Sequence, residues 1–297
     1  MVIKMYEADI LSKIDELELT NLEAKIQTYD AVGDQLLKEY YMYSSGVVQE
    51  GAVANGVRDD GRVPTLNKIA NWFGRMVTQI ASWLAKRHID RTLKKIYESD
   101  RYSDNDIFEG LFVDNDWYRD NVINARTYLN EQIQRYMVNE AGGSRDPGLN
   151  NVFRDRRAFT SAVRGVDKLR SELHESLSDI RHITAINDNT HHVKDKRKQD
   201  VFNFMRSVAE DNEHLTDMVR AMRRSIPYVK EVADRLSAND LNLKKNNEAV
   251  KDQYVKFVSD TTRCALMLAQ IQAVICDRIR HTIGRVHNNG EGGDEPA

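Results

Sequence analysis

The sequence predicts an all-α protein, an elongated bundle of long antiparallel helices with coiled-coil-like packing. Three observations predict it. Apolar residues recur at three- and four-residue steps through most of the chain, the period of helices with one buried face. Only four prolines occur in 297 residues, at 64, 147, 227 and 296, and the first three fall where that period breaks. No run alternates apolar and polar residues between hairpin turns, so no strand is predicted.

Residues 1–44 form an acidic helical segment. Ile10, Leu11, Ile14 and Leu17 fall at helical spacing. Leu22, Ile26, Tyr29, Leu36, Tyr40 and Tyr43 then mark one stripe, interrupted at Gly33. "TNLE" at 20–23 has the capping-box pattern, which either starts a second helix or sits inside one long helix. From Lys4 to Ser44 there are nine acidic residues and four lysines, a net charge of −5. Residues 45–64 hold four glycines and no helical period, so they are predicted to form a long loop.

Residues 65–140 are predicted as a basic amphipathic helix, an acidic connector and a second helix. Thr65 is the predicted N-cap of the first, which runs to about Ser99. Leu66, Ile69, Phe73, Met76, Ile80, Trp83 and Leu84 form its stripe, with Trp72 and Val77 beside it. Residues 65–97 carry seven Lys/Arg against Asp90, whereas 98–120 carry eight acidic residues against two arginines. Such a helix suits a membrane surface or a partner helix. The preferred reading is a buried bundle helix whose charges meet the acidic stretch next door. The connector at 100–116 reads as irregular. A helix from about 116 to 140 follows, with Val122, Ala125, Leu129, Ile133 and Tyr136 on one face.

"AGGSRDPGLN" at 141–150 is a Gly/Pro break. Residues 151–287 form a long-helix region. Phe159, Val163, Val166, Leu169, Leu173, Leu177, Ile180 and Ile183 stripe its first helix. "NDNTHHVKDKRKQD" at 187–200 reads as a loop or a solvated helix start. Val201, Met205, Val208, Leu215, Val219 and Met222 stripe a helix over 200–224. Pro227 forces a kink or a new, shorter helix to about Leu236. The last helix is the strongest signal. Val250, Tyr254, Phe257, Thr261, Cys264, Leu268, Ile271, Ile275, Ile279 and Val286 repeat over about five heptads, roughly 60 Å of helix from about 247 to 287. Residues 288–297 are disordered by composition.

Chemistry-bearing patterns are few. Cys264 and Cys276 match no zinc or redox spacing and read as buried thiols. From Asp114, "DNDWYRDNVINA" carries Asp at the first and third positions of a calcium loop. Arg119 and Ala125 stand where that loop needs Gly and Glu, so the acidic stretch reads instead as helix N-capping plus attraction to the neighbouring basic helix. The "HH" at 191–192 has no metal-site companions, and no phosphate-binding loop or nucleophile elbow is present. No catalytic residue, metal, cofactor or small-molecule substrate is predicted, and the expectation is a non-enzyme. The basic run "KDKRK" at 194–198 reads as a solvated helix face. The net charge of −3 gives no global argument for nucleic acid. The N-terminal "MVIKMYEADI" has no signal-peptide core, and no apolar run is long enough to span a bilayer.

The Glu-rich helix "IDELELTNLEAKIQTYDAVGDQLLKEYYMY" ends in aromatic residues. A Gly-containing linker follows, and then the Trp-bearing helix "LNKIANWFGRMVTQIASWLAKRHIDRTLKKI". This order over residues 5–97 resembles the N-terminal half of virion structural proteins, including internal head proteins, of large-genome tailed bacteriophages. The resemblance implies a non-enzymatic helical component of the capsid interior, made in a bacterial host cytoplasm and partnered by itself or by other virion proteins. It brings no site residues. The residues nominated for interaction are therefore those of the basic helix: Trp72, Phe73, Met76, Ile80, Trp83, Lys86, Arg87, Arg91, Lys94 and Lys95. A membrane-active use of 65–97 is the alternative. Nucleic-acid packaging through its cations and the 194–198 run is the third expectation.

Overall fold

The apolar stripes read from the sequence fall on helices, and those over 66–84, 159–180 and 201–222 are buried among the described residues. The computed structural model describes residues 2–44, 62–86, 107–112, 114–138, 152, 155–185, 193–237 and 247–290. Helix α1 is Val2–Ser44 and α2 is Arg62–Lys86. Strand β1 is Ile107–Phe112. A helical turn, Asn115–Tyr118, and a π-helical turn, Arg119–Ile123, lead into α3, Asn124–Tyr136. Helix α4 is Arg156–Ala185, β2 is Val193–Arg197 and α5 is Lys198–Arg224. Helix α6 is Ile226–Ser237 and α7 is Asn247–Gly290. The protein is all-α, with one small two-stranded ladder.

Several boundaries follow local chemistry. The capping-box pattern at 20–23 lies inside one continuous α1. Helix α2 starts at Arg62 rather than Thr65, because Pro64 fits the first helical turn, where its missing N–H costs nothing. Asp114 caps the turn before α3 by accepting from the Trp117 amide at 2.8 Å. Asp155 does the same for α4 through the Ala158 amide at 3.0 Å. Between α5 and α6 the Ser225 hydroxyl donates to the Met222 carbonyl at 2.7 Å, and Pro227 opens the new helix. Helix α7 continues to Gly290, so the segment expected to be disordered from 288 begins as helix. The loop at 45–61, the 141–150 break and the 191–192 histidines lie outside the described residues.

The sequence reading misses the ladder. Strands β1 and β2 pair antiparallel, with Ile107 opposite Arg197, Phe108 opposite Lys196, Leu111 opposite Lys194 and Phe112 opposite Val193. The register shifts between Phe108 and Leu111. The connector at 100–116 is thus partly strand. The basic run "KDKRK" is neither loop nor helix face: its first four residues belong to β2.

The chain divides into two compact units, each drawn from three stretches. Unit 1 comprises Met1–Arg87, Asn130–Asp167 and Met218–Arg263; unit 2 comprises His88–Leu129, Lys168–Asp217 and Cys264–Ala297. In unit 1, α1 packs on α2, and α2 packs on α6. Helix α1 runs antiparallel to α2, since Glu39 meets Lys68 while Tyr29 meets Trp72. It also runs antiparallel to α7, where Tyr40 meets Asp252 and Asp30 meets Arg263. The rings of Tyr136, Phe159 and Phe257 form a cluster with centroids 5.1–5.7 Å apart. In unit 2 the stripes of α4, α5 and α7 supply Leu173, Ile180, Val208, Leu215, Leu268 and Ile275, all buried. Cys264 and Cys276 are free thiols, buried as expected.

Gly33 explains the break in the α1 stripe. A Cβ built there would overlap the Trp72 indole. The missing side chain is the notch that admits the ring, and Trp72 Nε1 donates to the Tyr29 carbonyl at 2.6 Å. Gly33→Ala should therefore lower the unfolding free energy in urea titrations by about 1–2 kcal/mol. Overpacking costs about 1–3 kcal/mol and outweighs the ~1 kcal/mol that alanine returns in helix propensity. An equal or raised stability would show that the notch is not needed.

Candidate functional site

The nominated basic helix is a core element. Trp72, Phe73, Met76, Ile80 and Trp83 are at most 3% exposed, and Leu66, Ile69, Val77 and Leu84 are buried with them. These five nominated apolar residues are buried, so they form no free docking face. Lys86 ends α2, and Arg87, Arg91, Lys94 and Lys95 lie outside the described residues. Large apolar side chains that remain exposed among the described residues lie on α1 instead, at Val32, Tyr41 and Met42. The side chains at 86–95 and 98–113, which carry most of the expected charge match, lie outside those described. Lys68 of α2 meets Glu39 of α1 at 3.3 Å, while Asp116 and Asp120 pair with Arg119 beside them.

The polar chemistry of the chain collects in two places. In unit 2, Asp211 of α5 is only 3% exposed. Its Oδ1 accepts from Arg126 Nε of α3 in a short ion pair. Its Oδ2 accepts from the Tyr118 hydroxyl at 3.1 Å and from Gln272 Nε2 of α7 at 2.8 Å. Gln272 Nε2 also reaches the Tyr118 hydroxyl at 3.2 Å. The Tyr118 ring stands edge-on to Phe204, with centroids 5.6 Å apart. Nearby, Ser176 of α4 donates to Asn121 at 3.2 Å. A buried carboxylate is tolerable only when paired and fully hydrogen-bonded, and three donors achieve that here.

In unit 1 the second cluster fastens α1 and α4 to α7. Arg263 pairs with both Asp30, at 3.2 Å, and Asp34, one helical turn apart on α1. The Tyr40 hydroxyl donates to Asp252 at 2.8 Å. Lys256 reaches Asp167 at 2.7 Å and Asp260 at 3.2 Å. Partial burial pulls the Lys256 ammonium down, but these two carboxylates outweigh it and hold its pKa above the usual lysine value.

Sequence reasoning did not nominate these residues, although one signal was present. The α5 stripe jumps from Val208 to Leu215, and Asp211 fills the vacant helical position between them. Tyr118 and Arg126 likewise stand one turn before and one turn after Val122 on the α3 side, and Gln272 stands one turn after Leu268. Charged or amide residues at stripe positions mark buried polar contacts.

Among the described residues, no group of three or more His, Cys, Asp or Glu is placed to hold a metal ion. Among the same residues, no helix is long and apolar enough to cross a membrane. The chain matches no family model, no curated protein and no solved structure.

Two outcomes test the clusters. Asp211→Ala strands the Arg126 guanidinium in a largely buried site and should cost about 3–5 kcal/mol in denaturant unfolding, against about 1 kcal/mol for Tyr118→Phe. Equal small losses would mean that the carboxylate is not the hub. The alkaline limb tests the phenols. Burial pushes Tyr118 well above the usual tyrosine value, with Asp211 adding to it; burial also raises Tyr254. A native pKa above the unfolded one means that unfolding releases protons at high pH. The stability from these phenols is therefore full below about pH 10 and lost as pH rises above it. Tyrosinate absorbance should show these two phenols ionising only as the fold is lost.

Proposed function

We propose that this chain is a non-enzymatic structural and interaction protein, acting as a helical component of a bacteriophage virion, in the capsid interior. One observation carries the non-enzymatic reading. The charged groups that burial could have tuned for chemistry are spent on holding helix to helix: Asp211 with Arg126, Arg263 with Asp30 and Asp34, Lys256 with Asp167 and Asp260. Catalytic groups instead stand where a substrate can reach them, with pKa values set for proton transfer. The virion assignment is supported by the order of parts over residues 5–97, an acidic helix ending in aromatics followed by a Trp-bearing basic helix.

The membrane-surface alternative lacks an exposed apolar face on α2, because Trp72, Ile80 and Trp83 are buried. Partners under this proposal are further copies of the chain or other virion proteins. The protein should be found by mass spectrometry in purified virions. Size exclusion with light scattering should give a mass above the 34.2 kDa of one chain, alone or with virion protein. A strict monomer that is missing from particles and binds none of their proteins would overturn the proposal.

A further inference from the structure

Helix α4 opens with "RRAFTSAVR", residues 156–164. On a helix, Arg156, Thr160 and Arg164 stack one turn apart, and Arg157, Ser161 and Arg164 form the adjoining row. Among the described residues, these five line an open depression of about 340 Å³. All of them belong to unit 1. The three arginines are exposed, and the buried residues of this stretch, Phe159, Ala162 and Val163, take the opposite side of the helix.

Most cations described above are matched to carboxylates, and these three are not. Among the described residues, none of Arg156, Arg157 and Arg164 lies within ion-pair distance of an acid. The nearest acids in sequence are engaged elsewhere. Asp155 caps the helix through the Ala158 amide, and Asp167 accepts from Lys256. Because Asp155 already occupies the helix N-terminus, attraction in the cleft comes from guanidiniums and not from free backbone amides. Thr160 spends its proton on Gln253 Oε1 at 3.3 Å, and Ser161 lies one turn after Arg157.

We propose that this cleft binds phosphate groups, from a nucleic-acid backbone or from a free phosphate compound. Three planar guanidiniums with fixed donor forks suit tetrahedral oxyanions better than lysines would. From Arg156 to Arg164 the cations spread over about 12 Å of helix, more than a single phosphate needs and enough for two or more in a row. The Ser161 hydroxyl beside them supplies a neutral donor to a phosphate oxygen, since the Thr160 proton is already given to Gln253. The proposal does not depend on the virion assignment, and the cleft is separate from the Lys86–Lys95 cations and the 194–198 run.

The test uses the full chain at low salt. Inorganic pyrophosphate is titrated by calorimetry, and a short fluorescein-labelled single-stranded oligodeoxynucleotide by anisotropy. Arg157→Gln/Arg164→Gln should weaken binding about tenfold or more, and should flatten the dependence of log K on log salt for the oligonucleotide by about 1–1.5. Lys25→Gln, exposed on α1 of the same unit, should leave both unchanged. Arg157→Lys/Arg164→Lys retains the charge, tests the same site if the glutamine variant folds poorly, and should fall between the parent and the glutamine variant. Binding of the oligonucleotide alone assigns the site to nucleic-acid backbones; binding of pyrophosphate alone assigns it to free phosphate compounds. Absence of both, or binding that the arginine variants leave intact, overturns the proposal.

Discussion

A helix buried on every side cannot hand its polar side chains to water. Helix α7 has this property through most of Tyr254–Cys276, where Val255, Phe257, Val258, Thr262, Ala265, Leu268 and Ile271 are buried alongside the heptad positions. Several of its polar groups find partners inside the protein, although the buried hydroxyls of Tyr254, Ser259 and Thr261 have none among the described residues. In unit 1, Asp252, Lys256 and Arg263 meet the Tyr40 hydroxyl, Asp167 and the α1 aspartates, while the Thr262 hydroxyl turns back to the Val258 carbonyl at 2.7 Å. In unit 2, Gln272 reaches into the pair formed by Asp211 and Arg126. These polar contacts tie α1 and α4 to α7 in unit 1, and α3 and α5 to α7 in unit 2.

The second constraint is shape. Helix α2 carries two tryptophans in its first half-dozen turns, and a helix surface has few places for an indole. Gly33 provides one for Trp72 by removing a side chain in mid-helix, where glycine costs about 1 kcal/mol against alanine. Gly74 plays a milder part on the other side of α2: a Cβ there would come within 3.2 Å of the Ile226 side chain at the start of α6. Small residues facing large ones fix how α2 lies between α1 and α6.

Helix existence was legible because amphipathic period is a local property. The α2 stripe from Leu66 to Leu84 and the α4 stripe from Phe159 to Ile180 are buried as read. Of the two readings at Pro227, a kink or a new helix, the structure has the new helix, starting at Ile226. The ladder was not legible. "VKDKR" has little intrinsic preference for extended structure, and β2 forms against β1 more than 80 residues away in sequence. The vacancy at Asp211 in the α5 stripe could have been read, but its partners could not: Tyr118 lies 93 residues before it and Gln272 61 residues after it. The three arginines in nine residues of α4 were not singled out from the sequence, because their lack of a described counter-charge depends on where the acids of other helices fall.

The sequence by itself determined where the helices lie, which face of each is apolar, that α1 is acidic and that the basic helix carries an apolar face wide enough to demand burial. Those are properties of residues three and four apart, and they survive any arrangement of the chain. Tertiary structure alone decided that α1, rather than the neighbouring acidic stretch, meets Lys68, and that Arg263 bridges Asp30 and Asp34. It also decided that Asp211 is the buried hub of unit 2. A single charge has many candidate partners of opposite sign along 297 residues. Only packing, which brings one of them within hydrogen-bond reach and removes the water between them, selects which pair forms.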